Sequence, residues 1–475
     1  MASFSSRGSD RLSSDIIKPD VTAPGVNILA GNTPTALLGS PGELFQSISG
    51  TSMSSPHVAG LFALLKQVNP DWSAAMAKSA LMTTARQDVT KEDGTTDADP
   101  FDMGAGHVDP SEKANKGSMF EPGLAYDAGL FEYAAFTCGA DLGVFSPGTC
   151  AFLASIGVPM DPSDLNIASI GVGELVGSQT VQRTVTSVAK ESGWRTYSVS
   201  VDAPEGFEVT VSPTSFALKN GMSLTYEVTI TNDGSALIGE WSFGSLRLWD
   251  LAGHYEVRSP IAARAFELDA PAEIHGSGDS GSADFNVKHG FNGEVSATTH
   301  ALSMAIETDG NVVDDPANNI NVALGTGVGI TVHQIIVAPG SVYARFNLFD
   351  AFVSGEPDLD LYVFGPNGFV GGSGSGTSEE QVDTAFPAPG IYDVIVHGWQ
   401  TDGPDTDYTL FSFIVGADPG SNLTVSGYPS TATVGLTSTV TVSWTGLSSG
   451  TKYLGAVVHY AGSDVLAITV VSVEA

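Results

Sequence analysis

The stretch "SGTSMSSPHVAG", residues 49–60, places a serine where chemistry could happen. Ser52 stands at the start of an apolar, helix-like run, with Gly50 and Thr51 before it and Ser54, Ser55 and Pro56 after it. A helix N-terminus presents unpaired N–H groups and a partial positive charge to whatever lies in front of it. A serine there can offer its hydroxyl to a carbonyl carbon while its own N–H steadies the developing oxyanion. Gly50 leaves room for a substrate backbone to come close. The bland alternative is a serine that only caps a helix. A second set of groups lies far downstream. Glu356, Asp358, Asp360, Asp402, Asp405 and Asp407 supply loop oxygens of the kind calcium takes, and Tyr362, Trp399 and Tyr408 could line a binding strip or a core.

The elements that must hold Ser52 read as an α/β segment. From Met53 to Val68 apolar residues fall on every side, which predicts a buried helix. Pro70 breaks it, and Asp71 or Ser73 is a candidate N-cap for a second helix over 73–84. Upstream, "DIIKPDVTAPGVNILA" reads as short strands cut by Pro19, Pro24 and Gly25. On this reading His57, inside the first helix, is a packed core histidine, and His107 in "GAGHV" is structural.

Beyond residue 125 the pattern changes. Residues 126–163 read as a connecting segment, with Cys138 and Cys150 close enough in sequence for one loop-closing bridge. From 164 the hydrophobic period becomes two, in "SQTVQRTVTSVA", "FEVTVSP" and "LTYEVTITNDGS", which predicts an antiparallel β-sandwich over 164–265. The cluster "HGSGDSGSADF" reads as a boundary, followed by a second sandwich over 275–415 and a small immunoglobulin-like β unit over 421–475. The fold class expected is therefore multidomain, a partial α/β domain followed by antiparallel β-sandwiches.

The balance of 53 Asp plus Glu against 19 Lys plus Arg gives a formal net charge of −34. Such a surface repels nucleic acid and anionic lipid, because phosphate backbones are held by clustered Lys and Arg. No apolar run is long enough to span a membrane, and "MASFSSRGSD" lacks the basic start and apolar core of a secretory signal.

"GTSMSSPHVAG" resembles the motif around the catalytic serine of the subtilisin-like serine proteases, the subtilases. "SFSSRG", "KPDVTAPGVNI", "NPDWSAAMAKSALMTTA", "FDMGAGHVDPSEKA" and "PGLAYD" resemble that family's catalytic domain in the same order, most closely the branch that includes plant enzymes. "DLNIASI" and "TVQRTVTSV" resemble the fibronectin type III-like domain that follows in that branch, so the likeness covers residues 3 to about 265. It implies a catalytic domain portion over 1–125 and a fibronectin type III-like domain over 164–265. With less specificity, "DLDLYVFGPNG" and "PGIYDVIVHGW" resemble the pre-peptidase C-terminal sandwich of secreted bacterial proteases. Such modules assist secretion or bind substrate polymers, and some hold calcium.

The resemblance implies a secreted, bacterial serine endopeptidase acting on proteins or peptides, with Ser52 as nucleophile and Gly50 and Thr51 flanking the substrate cleft. No cofactor is required on this reading, and calcium is an option. The family's base is a histidine preceded by its aspartate partner, and its second oxyanion donor is an asparagine; all three come before the serine. Here no histidine precedes Ser52, and Asp10, Asp15 and Asp20 lie outside a D-[ST]-G context. The expectation is a C-terminal portion, inactive alone, whose partner is the missing N-terminal half of the catalytic domain. The alternative is a non-catalytic sandwich array that binds a polymer or cell surface.

Overall fold

The computed structural model describes residues 1–35, 41–112, 116–420 and 422–475. Residues 113 and 114 of the "FDMGAGHVDPSEKA" stretch, and Ser421, lie outside them. The chain forms two compact units, Met1–Glu267 and Leu268–Ala475. It is mostly antiparallel β, as the sequence predicts, with helices concentrated near the N-terminus.

The first unit opens with a two-stranded ribbon, β1 (Ile28–Gly31) and β2 (Phe45–Ile48), then helix α1 (Thr51–Val68), α2 (Ala74–Thr83) and the short α3 (Pro100–Met103). Ser73 caps α2, its hydroxyl accepting from the Met76 amide. Helix α1 departs from expectation. Its residues are apolar all round, yet only Leu65 is fully buried, and Leu64 and Val68 are each nearly half exposed. Hydrophobicity states what a helix can bury, and here only one side of α1 meets a neighbour, through Leu65 against Ala77, Leu81, Val108 and Met119.

The segment 126–163 is more than a connector. β3 (Leu124–Tyr126) pairs with a strand of the following sandwich, so that domain draws on residues before 164. Helices α4 (Leu130–Gly139) and α5 (Pro147–Ser155) follow, joined by the Cys138–Cys150 disulfide.

The sandwich uses β4 (Ile170–Leu175), β5 (Ser178–Ser187), β6 (Arg195–Asp202), β7 (Phe207–Ser212), β8 (Ser215–Leu218), β9 (Ser223–Asn232), β10 (Trp241–Asp250) and β11 (Glu256–Ala265). One sheet runs β3-β5-β9-β7 and the other β4-β11-β10-β6-β8. The alternation does as predicted: Val181, Val185, Tyr226, Val228 and Ile230 turn inward. On the outer face Thr180 meets Thr229 and Thr184 meets Thr225 through hydroxyl contacts of 2.8 and 2.7 Å. Such cross-strand pairs fix register.

Arg183 is the exception on the inner face. It is fully buried without a carboxylate, and donates instead to the carbonyls of Ser163, Ile167, Ser169 and Gln182 at 2.8–3.0 Å. One side chain thus pins the 163–169 segment to the sheet.

The second unit corrects the expected boundaries. β12 (Leu268–Asp269), β13 (Glu273–Ser277), β14 (Gly281–His289) and β15 (Gly293–Met304) begin a sandwich that the C-terminal strands complete. Between them lies an inserted sandwich: β16 (Ile306–Val313), α6 (Ile320–Thr326), β17 (Ile330–Val337), β18 (Tyr343–Leu348), β19 (Asp358–Gly365), β20 (Gly368–Ser373), β21 (Glu380–Ala385), β22 (Gly390–Gln400) and β23 (Asp405–Val415). The host then resumes with β24 (Leu423–Ser426), β25 (Thr431–Ala432), β26 (Thr437–Trp444), β27 (Lys452–Ala461) and β28 (Asp464–Glu474). Its sheets are β12-β14-β26-β24 and β13-β28-β27-β15-β25; those of the insert are β16-β23-β18-β21 and β17-β22-β19-β20.

Residues 422–475 are therefore half of a sandwich, and the second sandwich of the sequence reading begins at 306 rather than 275. The glycine-rich cluster, expected as a boundary, spans the end of β13, the turn 278–280 and the start of β14. Gly276 and Gly281 let the Trp444 ring lie against the backbone, where a Cβ would stand 2.4 and 2.6 Å from it.

Two outcomes follow for stability. Arg183→Met leaves several buried carbonyls without donors, each costing about 1–3 kcal/mol; denaturant titration should show a loss of at least about 2 kcal/mol for the first unit. His459, buried in the host between Tyr428 and Thr469, is held neutral, its pKa lowered from 6.5 to about 4 by burial and then by His289. Its contribution is full above pH 6.5 and is lost as pH falls toward about 4. His459→Gln should flatten that part of the acid-unfolding curve.

Candidate functional site

The start of α1 is set by its neighbours rather than by a side-chain cap. Gly50, the N-cap residue, offers none. Its amide instead donates to the Gly25 carbonyl at 2.8 Å, and the Ser54 hydroxyl donates to the Ala23 carbonyl at 3.0 Å. These two bonds clasp the first turn of the helix to the 23–25 segment. Gly25 is required by close approach: a Cβ there would lie 2.2 Å from Ser54 Oγ and 2.8 Å from the Gly50 carbonyl. The 23–25 segment is itself tied down, because Thr22 exchanges backbone hydrogen bonds with Gly106 and Val108.

With the turn fixed, Thr51 and Ser52 lie exposed at the helix N-terminus, where first-turn amides have no intrahelical partner. No acidic residue occupies that first turn to neutralise the positive end of the dipole. Pro56 lies inside the helix and has no N–H to give the Ser52 carbonyl. At the far end Lys66 donates to the Pro70 carbonyl, so a cation complements the C-terminal pole. The arrangement suits an anion or a developing oxyanion at residues 51–52.

A groove of about 970 Å³ opens beside this turn, lined in part by Phe4, Val21, Gly50, Thr51, Ser55 and His107. Gly50 and Thr51 thus border a cleft. Ser52 is not among its lining residues and faces solvent.

His57 and His107 each contact another group. His57 is exposed rather than packed, because the described residues leave that side of α1 open; its Nδ1 lies 2.9 Å from the Met53 carbonyl in the same helix. His107 sits between Thr22 and Arg86 in backbone pairing, with its Nδ1 3.0 Å from the Thr22 hydroxyl. Burial and then the Arg86 charge hold its pKa below the usual imidazole value.

The downstream carboxylates do not converge. Asp402 accepts from the Glu356 amide at 3.3 Å and Asp407 from the Asn311 amide group at 2.8 Å, while Asp405 opens β23. Asp358 opens β19, its pKa raised by burial and then by Asp360 and Glu380. Asp360 is engaged by His397 and the Tyr362 hydroxyl. Among the described residues no three His, Cys, Asp or Glu side chains are grouped so as to hold a metal ion. Tyr408 is buried in the insert's core with its hydroxyl on His333, whereas Tyr362 and Trp399 flank His397. The three aromatics form no common strip.

Sequence reasoning missed the Gly25–Ser54 clasp. The signal was a glycine after Pro24 and a small residue one turn into the helix, but only the fold brings them together.

Residues 1–106 match the subtilase family and residues 164–263 a fibronectin type-III domain. The N-terminal part of the chain is therefore similar to the subtilase family, and the stretch that follows it to a fibronectin type-III domain. Similar proteins include the "CO(2)-response secreted protease" of Arabidopsis thaliana, 40% identical over 281 residues, or 55% of this chain and 35% of the relative. Subtilisin-like protease SBT1.7 of the same plant is 42% identical over 284 residues, again 55% and 35%. A subtilisin-like protease of Glycine max is 39% identical over 280 residues, 56% of this chain and 34% of that one. The chain thus spans about a third of the length of the curated relatives it matches. Among the described residues no helix is long and apolar enough to cross a membrane.

Gly25→Ala should break the clasp. Hydrogen exchange at the Gly50 amide is expected to quicken by about tenfold or more, the equivalent of one lost hydrogen bond. An unchanged rate would remove the clasp from the account.

Proposed function

We propose that the chain is the C-terminal portion of a secreted subtilisin-like serine endopeptidase, with Ser52 as the nucleophile. The observation that carries the reading is the exposed Thr51–Ser52 turn at the N-terminus of a clasped helix, inside the segment that matches the subtilase family. The substrate is a protein or peptide whose backbone approaches over Gly50 and Thr51. Ser52 Oγ attacks the scissile carbonyl carbon, its proton passes to a base, and the carbonyl oxygen gains charge in front of the helix N-terminus. The Ser52 amide stabilises that oxyanion. Collapse expels the amine and leaves an acyl-serine, which water hydrolyses to release the acid and restore the hydroxyl.

A serine hydroxyl is a weak nucleophile until a base takes its proton. Neither His57 nor His107 is placed for that, and no histidine precedes Ser52 in these 475 residues. The base, its aspartate partner and the asparagine donor are therefore assigned to polypeptide that packs on the exposed side of α1. The apolar surface available to such a partner includes Leu64 and Val68 on the helix and Leu29 and Phe45 on the ribbon, all strongly exposed. Burial of such residues returns roughly 1.5–3 kcal/mol each, enough to drive association.

A fluorophosphonate probe tests the assignment. The 475-residue chain alone should not be labelled at Ser52, because nothing deprotonates it. Stoichiometric labelling that Ser52→Ala abolishes would show that this chain supplies its own base, against the proposal.

A further inference from the structure

Outside the serine site, the insert contains a buried chain of ionisable groups that nothing above uses. His397, on β22, is completely inaccessible to solvent. Its Nδ1 lies 3.1 Å from Asp360 Oδ2 on β19, and its Nε2 lies 3.0 Å from Asp315 Oδ2 in the loop after β16. Both carboxylates are themselves buried. The charged side chains that meet the ring are all acidic. Asp360 approaches from β19 with Asp358 beside it, Glu380 stands behind them on β21, and Asp315 approaches from the loop. The rings of Tyr362 and Trp399 also lie against it, and Ile330 stands opposite His397 on β17.

Only an imidazolium can donate from both nitrogens at once. A neutral ring, in either tautomer, donates to one carboxylate and turns a lone pair toward the other. Away from bulk solvent, that contact is strongly unfavourable.

Asp315 is also the anchor of a surface loop. Its oxygens accept from the Ala317 and Asn319 amides at 3.0 and 2.8 Å, and so shape the entry to α6. The loop's two ends meet on one residue beside the histidine: the Asp315 amide donates to the Gly398 carbonyl at 2.8 Å, and the Gly398 amide to the Gly329 carbonyl at 2.9 Å. The span 314–329 is thus a closed loop with its ends together, carrying exposed Val322, Leu324 and Val328.

We propose that Asp315–His397–Asp360 is a pH-controlled clasp, which holds the 314–329 loop against the sheet while His397 carries both ring protons and frees it when one is lost. The energetics agree in sign. Burial alone would lower the His397 pKa, but the hydrogen bonds and charges of Asp360 and Asp315 outweigh it and raise the value above 6.5. Asp315 is held ionised, its pKa lowered from 3.8: burial opposes this, and the His397 hydrogen bond and backbone amides prevail. A raised histidine contributes stability that is complete below pH 6.5 and is lost as pH climbs through its folded value. The lowered carboxylate contributes above pH 3.8 and fails only in stronger acid. The loop is therefore held in mildly acidic solution and released on the alkaline side. This is opposite in sign to His459 in the host sandwich.

Hydrogen exchange of the full chain across pH 5–9, corrected for intrinsic rates, tests the clasp. Protection of amides 317–328 should fall about tenfold for each unit by which the histidine pKa is raised, while β18 stays protected. His397→Gln should leave the loop weakly protected at every pH. Asp360→Asn should keep it protected at high pH, because the new amide can donate to a neutral ring that still donates to Asp315. It also serves if His397→Gln fails to fold. Flat wild-type protection, a His397 proton resonance titrating at or below 6.5, or an Asp360→Asn profile matching wild type would each overturn the proposal.

Discussion

A helix can present an open N-terminus to a substrate only if something else fixes where the helix begins. In this chain the Gly50 amide on the Gly25 carbonyl, backed by Ser54 on Ala23, does so. The turn carrying Thr51 and Ser52 needs no side-chain cap, and its amides and hydroxyl stay free for a ligand. The clasp in turn depends on Thr22, whose backbone bonds to Gly106 and Val108 carry the restraint into the rest of the first unit. Ser52 is thus held exposed at the open end of a fixed helix.

What positions α1 does not cover it. Leu65 reaches a small core with Ala77, Leu81, Val108 and Met119, and the remaining apolar side chains of the helix find at most partial shelter. This is where sequence and structure part. The all-round apolar pattern of Met53–Val68 was legible, and it states which surfaces favour burial. It carries no information on whether the covering atoms are present. His57 follows the same logic: its place in an apolar helix suggested a packed residue, and the open side of that helix leaves it exposed.

Other elements were legible in proportion to how local their causes are. The Ser73 cap, the period-two strands of the fibronectin type III-like sandwich and the nearby cysteines that do bond all follow from neighbouring residues. Strand pairing across long separations does not. β14 pairs with β26, and β13 runs parallel to β28, so the host sandwich closes around a whole inserted domain. Nothing in the alternation of either strand names its partner. The insert is fastened by Arg345, which forks onto both oxygens of Glu273 on the host strand β13 at 2.8 and 2.7 Å and bonds Asp383 on β21. A bidentate arginine of this kind gives orientation as well as energy. Phe411, Phe413 and Val415 of the insert also share a core with Leu454, Ala456 and Val470 of the host.

The first unit therefore presents an exposed serine at a helix N-terminus, a cleft edge and exposed apolar side chains, while the second is a nested pair of sandwiches with its own buried ionisable groups. On the proposed function, Ser52 is one part of a divided site. The most direct measurement joins this chain to an upstream catalytic segment bearing D-[ST]-G and H-G-T-H, and follows hydrolysis of a peptide substrate. Cleavage by the joined protein, absent from this chain alone and lost in Ser52→Ala, is the expected result. Cleavage that survives Ser52→Ala in the joined protein, or that this chain performs unaided, would contradict the account.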